Sequence, residues 1–130
     1  MDKLTLYFDR NVGKRLPGAL SKLRPPADIR WHQGEGFAQS LPDDVWLETV
    51  ARRNWIVLTQ DLKFHVLESE RQAIIQHSAR CFYLPGANDG LWQTLCTLTR
   101  IHKKILQLSE STPAPFIFAF SANGRHNRIL

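Results

Sequence analysis

The sequence predicts one α/β domain of three layers, α/β/α, in which helices cover both faces of a mostly parallel central sheet. Strand-like apolar runs alternate with helix-like segments through most of the 130 residues, which is the pattern of βαβ units. One of these runs, residues 55–59, is continuously apolar, as in strands covered on both faces. With 43% hydrophobic residues the chain can build one core. We expect the domain to span residues 1–120, with a flexible basic tail over 121–130.

The first strand and helix are indicated by a change of apolar period. Leucine and phenylalanine alternate with other residues over 4–8, which is the period of a strand, and the run stops at Asp9. From Asn11 onward the apolar residues fall three or four apart, which predicts an amphipathic helix. Pro25-Pro26 ends this helix because proline cannot continue the hydrogen-bond ladder.

The next elements are a strand, a loop and a second helix. Residues 27–32 can form a short strand, and 33–41 hold two glycines with little periodicity, which favours a surface loop. Pro42-Asp43-Asp44 suits a first helical turn, where proline loses no hydrogen bond and acids face the positive end of the helix dipole. The helix is expected to end at Asn54, before the apolar strand 55–59.

The second half of the chain repeats the alternation. Ser69 and Gln72 match a capping box and predict the start of a third helix. A strand over 81–84 follows, and Asn88-Asp89 can cap a long last helix. The apolar stripe of that helix comprises Leu91, Leu95, Leu98, Ile101, Ile105 and Leu108. A final strand is expected over 116–120.

Charge and the N-terminal residues bear on location and partners. Lysine and arginine number 17 against 12 acidic residues, a net charge of +5 that favours a polyanionic partner. The apolar N-terminal run is interrupted too soon to be a secretory signal, and no run approaches a membrane span. We therefore expect a cytoplasmic protein with no membrane partner. Cys81 and Cys96 lack metal-ligand spacing and look like reduced, small hydrophobic residues.

Three aspartates are expected at one edge of the sheet. Asp9 and Asp61 directly follow predicted strands, and Asp43 opens the helix that feeds the Asp61 strand. In parallel sheets the ligand site forms at the carboxyl ends of the strands. Three carboxylates in one cleft repel each other unless protons, basic side chains or metal ions offset the charge, and Mg²⁺ or Mn²⁺ suits oxygen ligands. Taken singly, each aspartate can instead be a helix cap or a turn former.

The segments 6–13, 42–47 and 57–61 resemble the PIN-like family of bacterial toxin nucleases, in particular small stand-alone proteins of toxin–antitoxin modules. The resemblance covers residues 4–84 in its motifs. It implies that Asp9, Asp43 and Asp61 are catalytic residues that hold one or two Mg²⁺ or Mn²⁺ ions. It further implies cleavage of phosphodiester bonds in single-stranded RNA, a cognate antitoxin partner and a possible homodimer.

Further residues are expected to support such a site. Asn11 and Thr59 would tune the carboxylates by hydrogen bonding, although Asn11 can equally be a helix N-cap. Asp44 is the alternative to Asp43, and Asp43 fits the family spacing better. Basic and aromatic residues near the predicted edge could contact phosphates or bases, or be ordinary solvated or core residues: Arg10, Lys14, Lys63, Trp31, His32 and His65. For Trp31 we expect burial in the core.

One departure from the family leaves competing interpretations open. Many PIN nucleases carry a further acid before the Asp43 position, and here the candidates are Asp28 and Glu35, neither in a convincing context. A catalytically inactive PIN-like module that binds RNA or a partner protein is therefore the alternative. A dehalogenase-type phosphatase is less consistent, since it needs an aspartate where this chain has Asn11. A receiver domain is also less consistent, since it needs a paired acid near the first strand and this chain lacks it.

Overall fold

The computed structural model describes residues 3–61, 63, 66–87 and 89–130. Within that part of the chain strands and helices alternate, except that the last two elements are both strands. The strands are β1 (Thr5–Phe8), β2 (Asp28–Trp31), β3 (Ile56–Thr59), β4 (Arg80–Tyr83), β5 (Phe116–Phe120) and β6 (His126–Arg128). The helices are α1 (Arg15–Lys22), α2 (Asp43–Arg52), α3 (Glu68–Gln76) and α4 (Leu91–Ser111).

The strands form one sheet in the order β2-β1-β3-β4-β5-β6. All neighbouring pairs are parallel except β5 with β6, so the predicted mostly parallel sheet is confirmed. From β1 the chain turns to one side to form β2 and to the other side to form β3. Strand order therefore reverses between β1 and β3, which is where open α/β sheets form their ligand crevices.

Two apolar cores lie on opposite faces of the sheet. In β1, Leu6 and Phe8 belong to the core that also contains residues of α1 and α4, whereas Tyr7 belongs to the core that contains residues of α2 and α3. Successive side chains of a strand point to opposite faces, so the two clusters identify two helical layers. The predicted three-layer α/β/α architecture is therefore confirmed.

Helix α1 begins later than the sequence predicts. Val12 donates its N–H to the carbonyl of Asp9, and Gly13 has a φ of +85°, a conformation open to glycine. The chain therefore turns before the helix, and Lys14 takes the N-cap position. The expectation that Asn11 caps the helix is wrong.

The other helix starts also differ in detail. The N-cap of α3 is Leu67, and the side chain of Gln72 donates to Glu68, so the capping box at Ser69 is wrong. The N-cap of α4 is Gly90 with no side-chain cap hydrogen bond, so the expectation that Asp89 caps this helix is wrong, and the other predicted cap residue, Asn88, lies outside the described residues.

Within residues 121–130, the strand β6 (His126–Arg128) is part of the sheet, in contrast to the expected loose tail. Phe118 pairs with Arg128, and Phe120 pairs with His126. The N–H of Ile117 donates to the carbonyl of Leu130, which ties the last residues to β5. Ile129 packs against the core, and this apolar contact helps to hold the basic segment against β5. The polar composition of the segment does not indicate it.

Cys81 and Cys96 are both free thiols, as expected from their sequence context. Among the described residues no helix combines the length and apolar character needed to cross a bilayer.

Candidate active site

The three predicted aspartates line one cavity. Its volume is about 180 Å³, and its walls are Asp9, Arg10, Asn11, Gln39, Asp43 and Asp61. Asp9 follows β1 and Asp61 follows β3, so the cavity lies at the carboxyl ends of the two strands that flank the reversal of strand order. The structure therefore brings together the carboxylates that are 52 positions apart along the chain.

Asp9 is buried and held by three donors. Its Oδ2 accepts a hydrogen bond of 2.6 Å from the Thr59 hydroxyl, and its Oδ1 accepts the N–H groups of Asn11 and Val12 at 3.1 and 3.3 Å. The side chain is 4% exposed. Burial raises the pKa of Asp9 to about 6 against the lowering effect of these hydrogen bonds. The hydrogen bonds thus fix the position of the carboxylate, and a positive charge nearby would stabilise its ionised form.

This raised pKa predicts a pH dependence of stability. Between the ordinary value of 3.8 and about 6 the folded state holds a proton on Asp9 that the unfolded state has released. The stabilising contribution is therefore complete below pH 3.8 and is lost as the pH rises through 6. In EDTA, we expect the free energy of unfolding of the wild type relative to Asp9→Asn to fall by about 2–3 kcal/mol from pH 4 to pH 7.

The measurement is urea unfolding of both proteins across that pH range. Because both chains share every other titrating group, their difference isolates Asp9. A difference that stays constant with pH would contradict a raised pKa at this carboxyl.

Thr59 links two of the acids. Its hydroxyl donates to Asp9 and accepts the backbone N–H of Asp61 at 3.1 Å. The sequence interpretation expected Thr59 to orient Asp61. The structure adds that its proton is directed to Asp9, so one buried hydroxyl sets the position of both acids.

Asp43 is held by two donors on its Oδ1. Arg10 Nη2 lies 2.6 Å away, and Trp46 Nε1 lies 2.9 Å away. Arg10 also donates to the carbonyls of Gln39 and Leu41, so its guanidinium ties the loop before α2 to the acid. The structure gives Arg10 these internal partners, and its expected contact with nucleic acid stays a prediction.

Of the two adjacent acids that open α2, Asp43 lines the cavity and Asp44 is exposed. Asp61 accepts the backbone N–H of Lys63 on its Oδ1 at 3.0 Å, which closes a turn after β3. This is the turn-forming role that the sequence allowed for Asp61, and it coexists with its place in the cavity.

Glu70 is an acid near the site that sequence reasoning missed. Its pKa is raised to about 7, first by burial and then by a hydrogen bond with Asp43 and the charges of Asp43 and Asp61, against the lowering effect of Arg10. Glu70 lies in the first turn of α3, the helix that follows β3, so its position could be inferred from chain order. The capping box predicted at Ser69 assigned this segment to a helix start and gave no indication of an acid facing the site.

The two candidates for an extra acid lie elsewhere. Asp28 begins β2 and pairs with Thr5, at the opposite end of the strands from Asp9. Glu35 forms ion pairs with Arg30 and Arg53. Neither lines the carboxylate cavity.

The other residues that were expected to support the site or contact nucleic acid differ in their exposure. Asn11, Lys14 and Lys63 are exposed. His32 is fully buried, where Nδ1 is 2.8 Å from the Tyr7 hydroxyl and Nε2 is 2.8 Å from the Ala38 carbonyl, so it is a core residue and not a base contact. Trp31 is half-buried against the α1 and α4 core, and His65 lies outside the described residues.

The donor chemistry of the cavity fits a hard divalent cation, because carboxylate oxygens are the ligands that such ions prefer. Within the described residues, however, no group of three His, Cys, Asp or Glu side chains is spaced to hold one ion together. Arg10 supplies the positive charge beside Asp43 in this arrangement.

Comparison with known proteins agrees with the resemblance seen in the sequence. Over 90 residues the chain is 29% identical to a Mycobacterium tuberculosis (strain ATCC 25618 / H37Rv) protein named as a candidate ribonuclease, VapC45. The aligned region is 69% of this chain and 64% of that relative, so the chain spans less than two thirds of the relative's length. No solved structure matches the chain. The model of the PIN-like domain family matches residues 4–86, and the chain therefore belongs to that family.

Proposed function

We propose that this protein is a metal-dependent endoribonuclease that hydrolyses phosphodiester bonds in RNA. The observation that carries the proposal is the convergence of Asp9, Asp43 and Asp61 on one cavity beside the reversal of strand order. Membership of the PIN-like family and the similarity to a protein named as a candidate ribonuclease support the same reaction class.

In this proposal the three aspartates hold Mg²⁺ or Mn²⁺. Such an ion would activate water for attack on the phosphorus and neutralise charge on the leaving oxygen. The chain's own residues provide the geometry. Thr59 and two backbone N–H groups fix Asp9, while Trp46 and Arg10 fix Asp43.

Glu70 provides a proton-exchanging group beside the carboxylates. With a pKa raised to about 7 it holds and releases a proton near neutral pH, which suits a general acid or base. The neighbouring charges of Asp43 and Asp61 favour the protonated form of Glu70.

The biological setting proposed is a toxin–antitoxin module in the cytoplasm. A cognate antitoxin would cover the acidic cavity, and RNA would be the substrate. The antitoxin partner and the RNA substrate rest on the similarity to a relative of which the chain spans 64%. A homodimer stays a prediction from the family resemblance.

The decisive test is cleavage of end-labelled single-stranded RNA by purified protein with Mn²⁺ or Mg²⁺. We expect cleavage with metal, none with EDTA, and a loss of at least about a hundredfold for Asp61→Asn, since this substitution removes a charge from the site. Asp28→Asn is the matched control, because Asp28 is an exposed aspartate at the other end of the strands. Equal activity of Asp61→Asn and wild type would overturn the proposal.

A non-catalytic PIN-like module is favoured by one observation. Arg10 already balances Asp43, and no three acids among the described residues are spaced to share an ion. Absence of cleavage by the wild type with either metal, together with retained RNA or partner binding, would establish this alternative.

A further inference from the structure

A second cavity adjoins the carboxylate cavity. Its volume is about 360 Å³, twice that of the first, and it lies between the loop after β1, the end of β3 and the start of α4. Asn11 lines both cavities. At the end of β3, Gln60 lines the second cavity and the next residue, Asp61, lines the first. The two spaces therefore lie next to each other and share Asn11 in their linings.

The second cavity has two basic residues and one acid in its lining, whereas the first has three acids and one basic residue. Lys14 and Arg15 line the second cavity and are exposed, and Asp89 is the acid in its lining. Neither basic residue takes part in an ion pair formed among the described residues, whereas Arg10, Arg30 and Arg53 do. Two cations that form no ion pair within the described part of the chain therefore stand beside a site that is proposed to act on a phosphodiester.

The lining also contains the groups that a nucleotide needs besides charge. Val12 and Leu91 give apolar surface for a sugar or a base face, and the amide of Gln60 gives a polar edge. The side chain of Gln60 donates to the carbonyl of Pro85, which fixes the orientation of its amide. A concave space of this kind accepts an unstacked nucleotide and excludes a base-paired one.

We propose that this second cavity, the Lys14–Arg15 cavity, binds the nucleotide that flanks the scissile phosphate of single-stranded RNA. Lys14 and Arg15 contact the flanking phosphate, and Asn11 lines both cavities. The inference rests on the proposed function for the identity of the scissile phosphate, but the binding itself needs neither metal nor cleavage.

The test is RNA binding in EDTA, measured by fluorescence anisotropy of a labelled single-stranded oligonucleotide over a series of salt concentrations. For Lys14→Gln/Arg15→Gln we expect the Kd to rise at least about tenfold, and the slope of log K against log salt to fall by about 0.7, because the contact with one phosphate is lost.

The matched control is Lys22→Gln/Lys103→Gln. It removes the same charge from two exposed helical lysines outside both cavities. We expect this control to weaken binding less than threefold. Equal weakening by the two double variants would overturn the inference, because it would indicate general attraction to a basic protein.

A charge-neutral variant tests the cavity itself. Ala87 is exposed and lines the cavity, so Ala87→Leu fills space there without changing charge. We expect weaker binding of the single strand. Unchanged affinity in Ala87→Leu would contradict a nucleotide seated in the cavity, as would equal affinity for a duplex of the same sequence or for polyaspartate of the same charge.

These outcomes separate the inference from the proposed function. Binding that depends on the cavity without any cleavage would retain the inference and reject the nuclease. Cleavage with binding that is insensitive to the cavity variants would retain the nuclease and reject the inference, and absence of RNA binding by the wild type would reject the inference directly.

Discussion

Replacing Asp9 by Asn is expected to lower RNA cleavage by about 10²–10³-fold or more, the size of loss seen when one charge-stabilising group is removed from an active site. Asp9 is the most buried of the three acids and the one most firmly held, by Thr59, Asn11 and Val12. The amide keeps the shape of the carboxylate but loses its charge, so attraction for a cation is lost while the position is kept.

The fold is expected to survive this substitution. The amide oxygen of the new side chain can accept the N–H groups of Asn11 and Val12, and its NH₂ group can donate to the Thr59 hydroxyl. Circular dichroism and thermal unfolding check this point. Thermal unfolding with and without Mn²⁺ gives a second readout, because an ion that binds the folded state raises the Tm of the wild type. A Tm increase of equal size in Asp9→Asn would show that Asp9 is not a ligand.

Replacing Trp46 by Ala is expected to lower the free energy of unfolding by about 3–5 kcal/mol. Trp46 is 1% exposed and lies between α2 and the sheet, with its ring 5.4 Å from that of Tyr7 and 6.3 Å from that of His32. Truncation leaves a large cavity in the α2 and α3 core and removes the N–H that Asp43 accepts. Urea unfolding measures the effect.

Trp92→Ala is the matched control, since Trp92 is 75% exposed and its loss is expected to change stability by less than about 0.5 kcal/mol. Trp46→Phe separates packing from the site. It keeps most of the ring volume while removing the N–H that Asp43 accepts. We therefore expect a smaller loss of unfolding free energy than in Trp46→Ala, together with a clear loss of RNA cleavage. A similar loss of stability in Trp46→Ala and Trp92→Ala would contradict the packing described.

Much of the fold could be predicted because its signals are local in the sequence. The alternation of Leu6, Tyr7 and Phe8 between two cores is the period of a strand, and the apolar run 55–59 is the pattern of a strand covered on both faces. The ends of elements depend on finer balances. Gly13 and Leu67 decide where α1 and α3 begin, and neither carries a strong start signal.

The segment 121–130 was misjudged for a different reason. Its polar composition indicated a loose tail, but pairing with an exposed strand edge depends on backbone groups that every residue has. Composition therefore underestimates order in a segment that lies against an open edge of a sheet.

The candidate site was predictable to the extent that topology fixes it. An acid that ends a parallel strand must lie at the carboxyl edge of the sheet, which placed Asp9 and Asp61 correctly. The partners of Asp43 could not be predicted in the same way. Arg10 reaches it across 33 positions, and Glu70 reaches it from another helix, so both depend on how the elements pack.

The hydrogen bond between Thr59 and Asp9 joins residues 50 positions apart, across the pairing of β1 with β3. A nascent chain on the ribosome that has released only β1 to α2 would possess Asp9 and Asp43 but not the strand that positions them. Closing such a long loop costs entropy that is recovered when the strands pair. Asp9 would therefore gain its Thr59 partner only once β3 has emerged and paired with β1, so the proposed active site cannot form on the segment from β1 to α2 alone.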